Sequence, residues 1–237
     1  DPFVDWSRAE LVAVRSTWDY TWRLPEFLGW AGAVGSTLLH GVGVFRWNTD
    51  KSYLVELAEA GLPLVPTALA GDVAELRAAV ARFTPAVVKP RVGAGGRGLV
   101  VIEEVEGWAP DDQGPWVVQP LVRSVQDEGE ISVFVLGGRP VSQVRKVAGP
   151  DDIRVHEWHG GTEHPTPLAP EAARLAVDAM AAAGTILGTE LVYGRVDMMR
   201  HEGSLVVSEI EVTEPGLYLD LVPENAETFA DAIAARL

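Results

Sequence analysis

Between Leu99 and Val147 the chain adopts a period of two, and no other stretch narrows its fold so far. Four runs, Leu99 to Ile102, Trp116 to Val122, Ile131 to Leu136 and Val141 to Val147, are rich in β-branched and aromatic residues. Alternation of this kind suits strands with one face buried, and Gly137-Gly138 supplies a turn between the last two. The runs predict an antiparallel sheet.

Helical spacing dominates elsewhere. Leu11 to Val14 reads as a short buried strand, followed by a polar and aromatic turn from Arg15 to Arg23 and a helix over Glu26 to Ala33 with Pro25 at its first position. Asn48 or Thr49 can cap a helix over Asp50 to Ala60 that Gly61 ends, and Leu62 to Pro66 is biased toward extended backbone. A helix over Asp72 to Phe83 precedes a strand over Ala86 to Pro90. Pro170 to Ala183 forms a helix closed by Gly184, Val192 to Met199 and Leu205 to Val212 form a hairpin, and Pro223 to Leu237 a terminal helix.

Charge and cysteine content remove several classes of function. The 237 residues hold 34 acidic and 19 basic side chains, a formal charge of −15 that repels a nucleic-acid backbone. With no cysteine, there is no disulfide, thiolate nucleophile or cysteine-ligated zinc. Leu175 to Leu191 is too short and too charged to cross a bilayer, and no leader peptide is visible after Asp1. A cytoplasmic location is expected.

Two segments bring candidate chemistry. In Val87-Val-Lys-Pro-Arg-Val-Gly-Ala-Gly-Gly-Arg-Gly98 a strand delivers Lys89 next to four glycines, Gly93, Gly95, Gly96 and Gly98, whose backbone amides can approach phosphate. Arg195-Val-Asp-Met-Met-Arg-His-Glu-Gly-Ser-Leu-Val-Val-Ser-Glu-Ile-Glu211 places Asp197 on one strand of a hairpin and Glu209 and Glu211 on the other. Three converging carboxylates repel each other unless a cation such as Mg²⁺ sits among them.

Register decides whether they converge. Opposed residues share a face, so Asp197 joins the glutamates only if opposed position numbers sum to an even value. A two-residue turn at Glu202-Gly203 fails this condition, whereas a three-residue loop Glu202-Gly-Ser204 meets it and pairs Asp197 with Glu209. The three-residue loop is therefore expected.

Other features are weaker. Trp116-Val-Val-Gln-Pro-Leu-Val122 with Gly129-Glu130 downstream is a strand entering a bend that can hydrogen-bond a planar base. His156, His159 and His164 lie in a Gly/Pro-rich loop without a helical His pair, and the tryptophans at 18, 22, 30 and 47 read as core or ledge residues.

Taken in order, Lys51, Lys89 with its glycine loop, Gln119 to Glu130, Arg195-x-Asp197 and Glu209-x-Glu211 resemble the ATP-grasp ligases over residues 46 to 222. Arg15-Ser-Thr-Trp-Asp-Tyr20 and Arg46-Trp-Asn-Thr-Asp-Lys51 are similar to the D-cycloserine synthetase branch, whose member cyclises O-ureidoserine. The resemblance implies an α+β fold in which two antiparallel lobes hold ATP between them. It divides the chain into a partial Rossmann-like N-terminal βα unit (1–45), a small lobe with the glycine lid (46–115) and a large lobe with the Mg/ATP site (116–237).

Transferred residue by residue, the resemblance puts Lys51 and Lys89 on the phosphates, and Gly93, Gly95, Gly96 and Gly98 in the lid. Gln119, Pro120, Leu121 and Val122 become the adenine hinge and Glu130 the ribose acceptor. Asp197, Glu209 and Glu211 would hold two Mg²⁺ ions, although related ligases usually carry Asn where Glu211 stands. Arg195, Lys89, Arg154 and Arg145 would serve the transferred phosphoryl group and the substrate, with His156 replacing an Asn of the bacterial glutathione synthetase stretch. The implied activity is ATP- and Mg²⁺-dependent activation of a small amino-acid-like carboxylate as an acylphosphate for C–N bond formation, by intramolecular cyclisation. An intermolecular ligase and a non-catalytic ATP-binding module are the alternatives. A small amino-acid-like substrate is the expected partner, with no nucleic acid or membrane, and a homodimer is left open.

Overall fold

The structure, a computed structural model, describes residues 4–111, 113–150 and 152–237. Val12 meets Leu38 in a single parallel bridge, with Val12 N donating to Thr37 O at 2.8 Å and Leu39 N to Val12 O at 2.8 Å. Among the described residues the strand expected over Leu11 to Val14 is reduced to this bridge, with no further strand beside it, and they do not make up a Rossmann-like unit. Helix α1 (Leu24–Val34) carries Pro25 in its first turn, where a missing N–H costs nothing. Its Phe27 stacks on Tyr20 and Phe45 at 5.4 and 5.5 Å.

Helix α2 (Gly41–Asn48) has no counterpart in the sequence reading, because Gly41 and Gly43 depress helix propensity and only tertiary burial of Val44 and Phe45 offsets it. Asn48, read as a cap, is instead buried. Its amide donates to Ile210 O at 2.9 Å and accepts from Val212 N at 2.8 Å. Helix α3 (Tyr53–Glu59) therefore starts later than expected, after Asp50 accepts from Ser52 N at 2.9 Å.

The first sheet combines β1 (Ala68–Ala70), β2 (Ala86–Pro90), β3 (Val100–Ile102) and β4 (Trp116–Pro120), with α4 (Val73–Phe83) between β1 and β2 in the chain. Their order is β1-β4-β2-β3, all antiparallel. Asp72 caps α4 by accepting from Glu75 N at 2.9 Å, and Leu76 and Val80 pack on Val88, Trp116 and Val118. After the short α5 (Ser124–Asp127), the second sheet takes in β5 (Glu130–Leu136), β6 (Arg139–Val147) and β7 (Thr162–Thr166). Helix α6 (Pro170–Leu187), β8 (Tyr193–His201), β9 (Ser204–Glu211) and α7 (Glu224–Ala234) complete the chain. The second sheet runs β7-β6-β5-β8-β9, again antiparallel, and buries α6 against one face.

The period-two region is thus two sheets and not one. The chain leaves the first after Pro120 and enters the second at Glu130. Strand β4 pairs in the first sheet, so pairing does not follow the division drawn between residues 115 and 116. Helix α6 runs past Gly184 to Leu187 and is closed by Gly188 in the left-handed region, since at Gly184 the carbonyl of Thr189 takes the space a side chain would need.

His40 ties the N-terminal unit to the second sheet. Its Nδ1–H donates to Val212 O at 2.7 Å while Nε2 accepts from Val192 N at 2.9 Å, a pattern only neutral imidazole can make. Burial lowers its pKa from 6.5 to about 4, the Val212 bond opposing only in part. A depressed histidine favours the fold fully above pH 6.5, and that stability is lost as pH falls from 6.5 to 4. We expect a loss of about 3 kcal/mol over this window, checked by urea unfolding at each pH, with the His40 ring remaining neutral at pH 5.5 by NMR.

Candidate active site

A cavity of about 430 Å³ opens between the two sheets. Strand alternation decides what enters it. On β2, Ala86 and Val88 join the small core while Val87 and Lys89 face the cavity. On β8, Val196 and Met198 are buried against α6 while Arg195, Asp197 and Met199 face the cavity.

Strand β9 needs a further device, because Leu205, Val207, Glu209 and Glu211 are all odd-numbered and plain alternation would bury the acids with the leucine and valine. The turn is the two-residue Glu202-Gly203, with φ of 51° and 81°, so His201 faces Ser204 and Met198 faces Val207. A bulge at Ser208 then shifts the register, and Asp197 faces Glu209. The expected pairing forms, but by a two-residue turn plus a bulge in place of a three-residue loop.

Hairpin β5–β6 repeats the device. Leu136 faces Arg139 across Gly137-Gly138, but a register shift after Phe134 brings Glu130 opposite Lys146. Lys146 therefore shares a face with Glu130, Ser132 and Asp197, and Arg145 is turned away, exposed and outside the cavity. This corrects the expectation for Arg145: the basic group at the site is Lys146, which the sequence reading passed over.

The charges form one network. Arg195 donates to Asp197 through Nε at 2.9 Å and Nη2 at 2.8 Å, and to Glu211 Oε1 at 2.5 Å. Asp197 also accepts from Ser132 Oγ at 2.6 Å and Lys146 Nζ at 3.0 Å. Lys146 bridges on to Glu130, whose other oxygen accepts from Ser208 Oγ at 3.0 Å. Burial alone would raise the Asp197 carboxyl, but Arg195 and Lys146 prevail and hold it well below its ordinary value. Burial works against the Lys146 ammonium too, yet Asp197 and Glu130 keep it protonated.

Lys51 pairs with Glu209 and donates to Gly93 O at 3.0 Å, so it reaches the glycine loop from below. Lys89 has no hydrogen-bond or ion-pair partner among the described residues, and burial lowers its pKa. Burial also pushes Glu211 up to about 7, and its Oε2 has no hydrogen-bond partner among the described residues.

Among the expected lid residues Gly93, Gly95 and Gly96 line the cavity, while Gly98 lies against Pro90, whose ring would be 2.8 Å from an added Cβ. Gln119, Pro120, Leu121 and Val122 border the cavity beside apolar Val65, Val87, Leu99 and Met199, and Gln119 donates to Thr67 Oγ1 at 2.9 Å. Arg154 lines the cavity with its guanidinium held by Asp152 at 2.6 to 3.0 Å. Arg15, Ser16 and Trp18, from the Arg15 to Tyr20 motif, also line it, as do Glu163, Tyr218 and Asp220, which no motif in the sequence singles out.

A divalent cation is testable against these residues. Asp197 and Glu209 face each other, and Glu211 brings an unpartnered oxygen, a set of hard oxygen donors that suits Mg²⁺. As they stand, no three acids or imidazoles among the described residues close on one point, because each acid is turned to a protein cation. Among the described residues, no helix is long and apolar enough to cross a membrane.

Comparison with known proteins agrees with this architecture. Residues 1–40 match the N-terminal domain of D-cycloserine synthetase DcsG, and residues 51–221 match the ATP-grasp domain of prokaryotic glutathione synthetase. The cycloserine biosynthesis protein DcsG of Streptomyces lavendulae is 32% identical over all of this chain and 86% of its own length. A glutathione synthetase of Prochlorococcus marinus is 28% identical over 73% of this chain and 56% of its own. The crystal structure of D-cycloserine synthetase DcsG superposes with a TM-score of 0.86 at 31% identity, covering 100% of this chain and 86% of that one. The chain belongs to the ATP-grasp ligases, enzymes that form C–N bonds with ATP, and within them to the D-cycloserine synthetase branch.

Proposed function

We propose that this ligase closes a ring within one small amino-acid-like substrate, as a cyclo-ligase of the D-cycloserine synthetase type working in the cytoplasm. The observation that carries the reading is the cavity itself. Lys89, unpaired among the described residues, faces it from one sheet, and Lys146, Arg195, Asp197, Glu209 and Glu211 face it from the other.

In this reading the adenine lies along Gln119 to Val122, Glu130 accepts a ribose hydroxyl, and Lys51, Lys89 and the glycine loop hold the phosphates. Asp197, Glu209 and Glu211 would hold two Mg²⁺ ions, which supply charge neutralisation to the triphosphate when bound. Arg195 and Lys146 orient the substrate carboxylate and offset the negative charge gathering on the phosphoryl group, with Arg154 at the substrate's outer end. The carboxylate oxygen takes the γ-phosphoryl group and ADP leaves. A nitrogen of the same molecule then adds to the acyl carbon, loses its proton, and phosphate departs.

The test supplies small amino acids with ureido or aminooxy arms, O-ureidoserine among them, and measures ADP, phosphate and organic product. Release of ADP only with such a carboxylate is the expected result, with a ring-closed product lighter than its substrate by one water for an aminooxy arm, or by carbon dioxide plus ammonia where a ureido arm loses its carbamoyl group to water. AMP with pyrophosphate would refute acylphosphate chemistry, a stable phosphorylated product would mean a kinase, and a product joining two molecules would mean intermolecular ligation.

Lys89 permits a narrower check. Because nothing among the described residues pairs with it, Lys89→Met should raise the KM for ATP by about tenfold or more while leaving the melting temperature unchanged or higher, read by kinetics and calorimetry on the same preparation.

A further inference from the structure

Trp22 was expected in the core or on a ledge, yet it is 68% exposed and does not line the cavity. Its ring faces the Arg97 guanidinium, whose carbon lies 4.2 Å from the ring centroid. Arg97 belongs to the glycine loop, and its guanidinium is also 4.7 Å from the Trp158 ring, so two tryptophans hold one cation. Trp158 rests directly on the loop backbone: a Cβ at Gly95 would come within 2.8 Å of the ring. Beside it, His159 Nε2–H donates to Gly95 O at 3.0 Å, and Trp18 packs edge-on against Trp158 at 6.0 Å.

Three separate stretches therefore meet on the lid: the N-terminal turn with Trp18 and Trp22, the loop itself, and the segment around Trp158. We propose that Trp22, Arg97 and Trp158 form a latch that holds the glycine lid shut over the reaction and keeps water from the activated carboxylate. Trp22 and Trp158 are positioning residues, acting through Arg97. The inference rests on the acylphosphate reading above. Without the latch, water adds to the acyl carbon and the phosphate leaves with the bonding electron pair. The water gives up both protons, one to phosphate and one to solvent, and the carboxylate is regenerated with one ATP consumed.

Trp22→Ala is the informative variant, because the side chain is exposed and lies outside the cavity. Trp22→Phe keeps a ring face for the guanidinium. Trypsin cleavage after Arg97 reports lid opening in the full-length chain without any substrate, and the ratio of ADP to ring-closed product reports leakage. Trp22→Ala should speed cleavage after Arg97 by about tenfold and raise the ADP-to-product ratio severalfold, and Trp22→Phe should return both toward wild type at an unchanged melting temperature. An unchanged cleavage rate, or faster cleavage with an unchanged ratio, overturns the latch. Failure of the functional reading shows separately, as absence of carboxylate-stimulated ADP release from the wild-type chain, and the cleavage measurement still decides whether Trp22 holds the lid in place.

Discussion

Lys146→Met should lower carboxylate-dependent ADP release by about a thousandfold, the scale expected when a fixed positive donor is removed from a buried reacting centre. The side chain is 5% exposed and joins Glu130 to Asp197. Its loss leaves two buried carboxylates with too little positive charge between them, so the fold should also weaken by about 3 to 5 kcal/mol. Stability and chemistry are separable. Lys146→Met combined with Glu130→Gln removes the carboxylate left without a cation, since Asp197 keeps Arg195, and should regain most of the unfolding free energy while remaining inactive. Urea unfolding and kcat/KM measured on both variants check this, and full activity in Lys146→Met would remove the residue from the proposed mechanism.

Gly129→Ala should be comparably severe through the backbone. Gly129 has φ of +84°, and a Cβ there would lie 2.3 Å from the carbonyl oxygen of Lys146. That oxygen is backbone in a paired strand and cannot swing aside, so the start of β5 must move away from β6. The movement would pull Glu130 from Lys146 at the mouth of the cavity. A loss of about 3 kcal/mol or more is expected, from left-handed strain plus the contact. Activity should fall by at least about a hundredfold, since misplacement by an ångström is costly in an oriented site. Thermal unfolding and ADP release at a temperature where the variant is folded check both effects.

Local chemistry was legible wherever it needed no knowledge of register. Lys89 could be placed because an apolar strand delivers it to four glycines, and α4 could be bounded because Asp72 and the apolar period agree. Reading failed where a residue's side depends on how far a strand has slipped. Gly137-Gly138 and Glu202-Gly203 are both two-residue turns, and counting outward from either puts the wrong residues on the cavity face. Bulges near Phe134 and at Ser208 correct the count, bringing in Lys146 where Arg145 was expected and keeping Glu209 with Asp197. A bulge has no sharp signature when the extra residue is a serine or a valine. Helix α2 was hidden for another reason: its glycines argue against a helix, and only burial of Val44 and Phe45 in the larger core, against α1, forms it.

The stretch ahead of β1 lies along the outer edge of β9, where Val65 N donates to Val207 O at 3.0 Å and Val207 N donates to Pro63 O at 2.9 Å. Chain that looks like a tether is therefore stitched to the larger sheet up to Val65. Any swing of the smaller sheet must bend between Val65 and Ala68 on one side and between Pro120 and Val122 on the other. Two such pivots close together define a single axis, so any opening of the cleft is expected to be one rotation, like a jaw on a hinge pin.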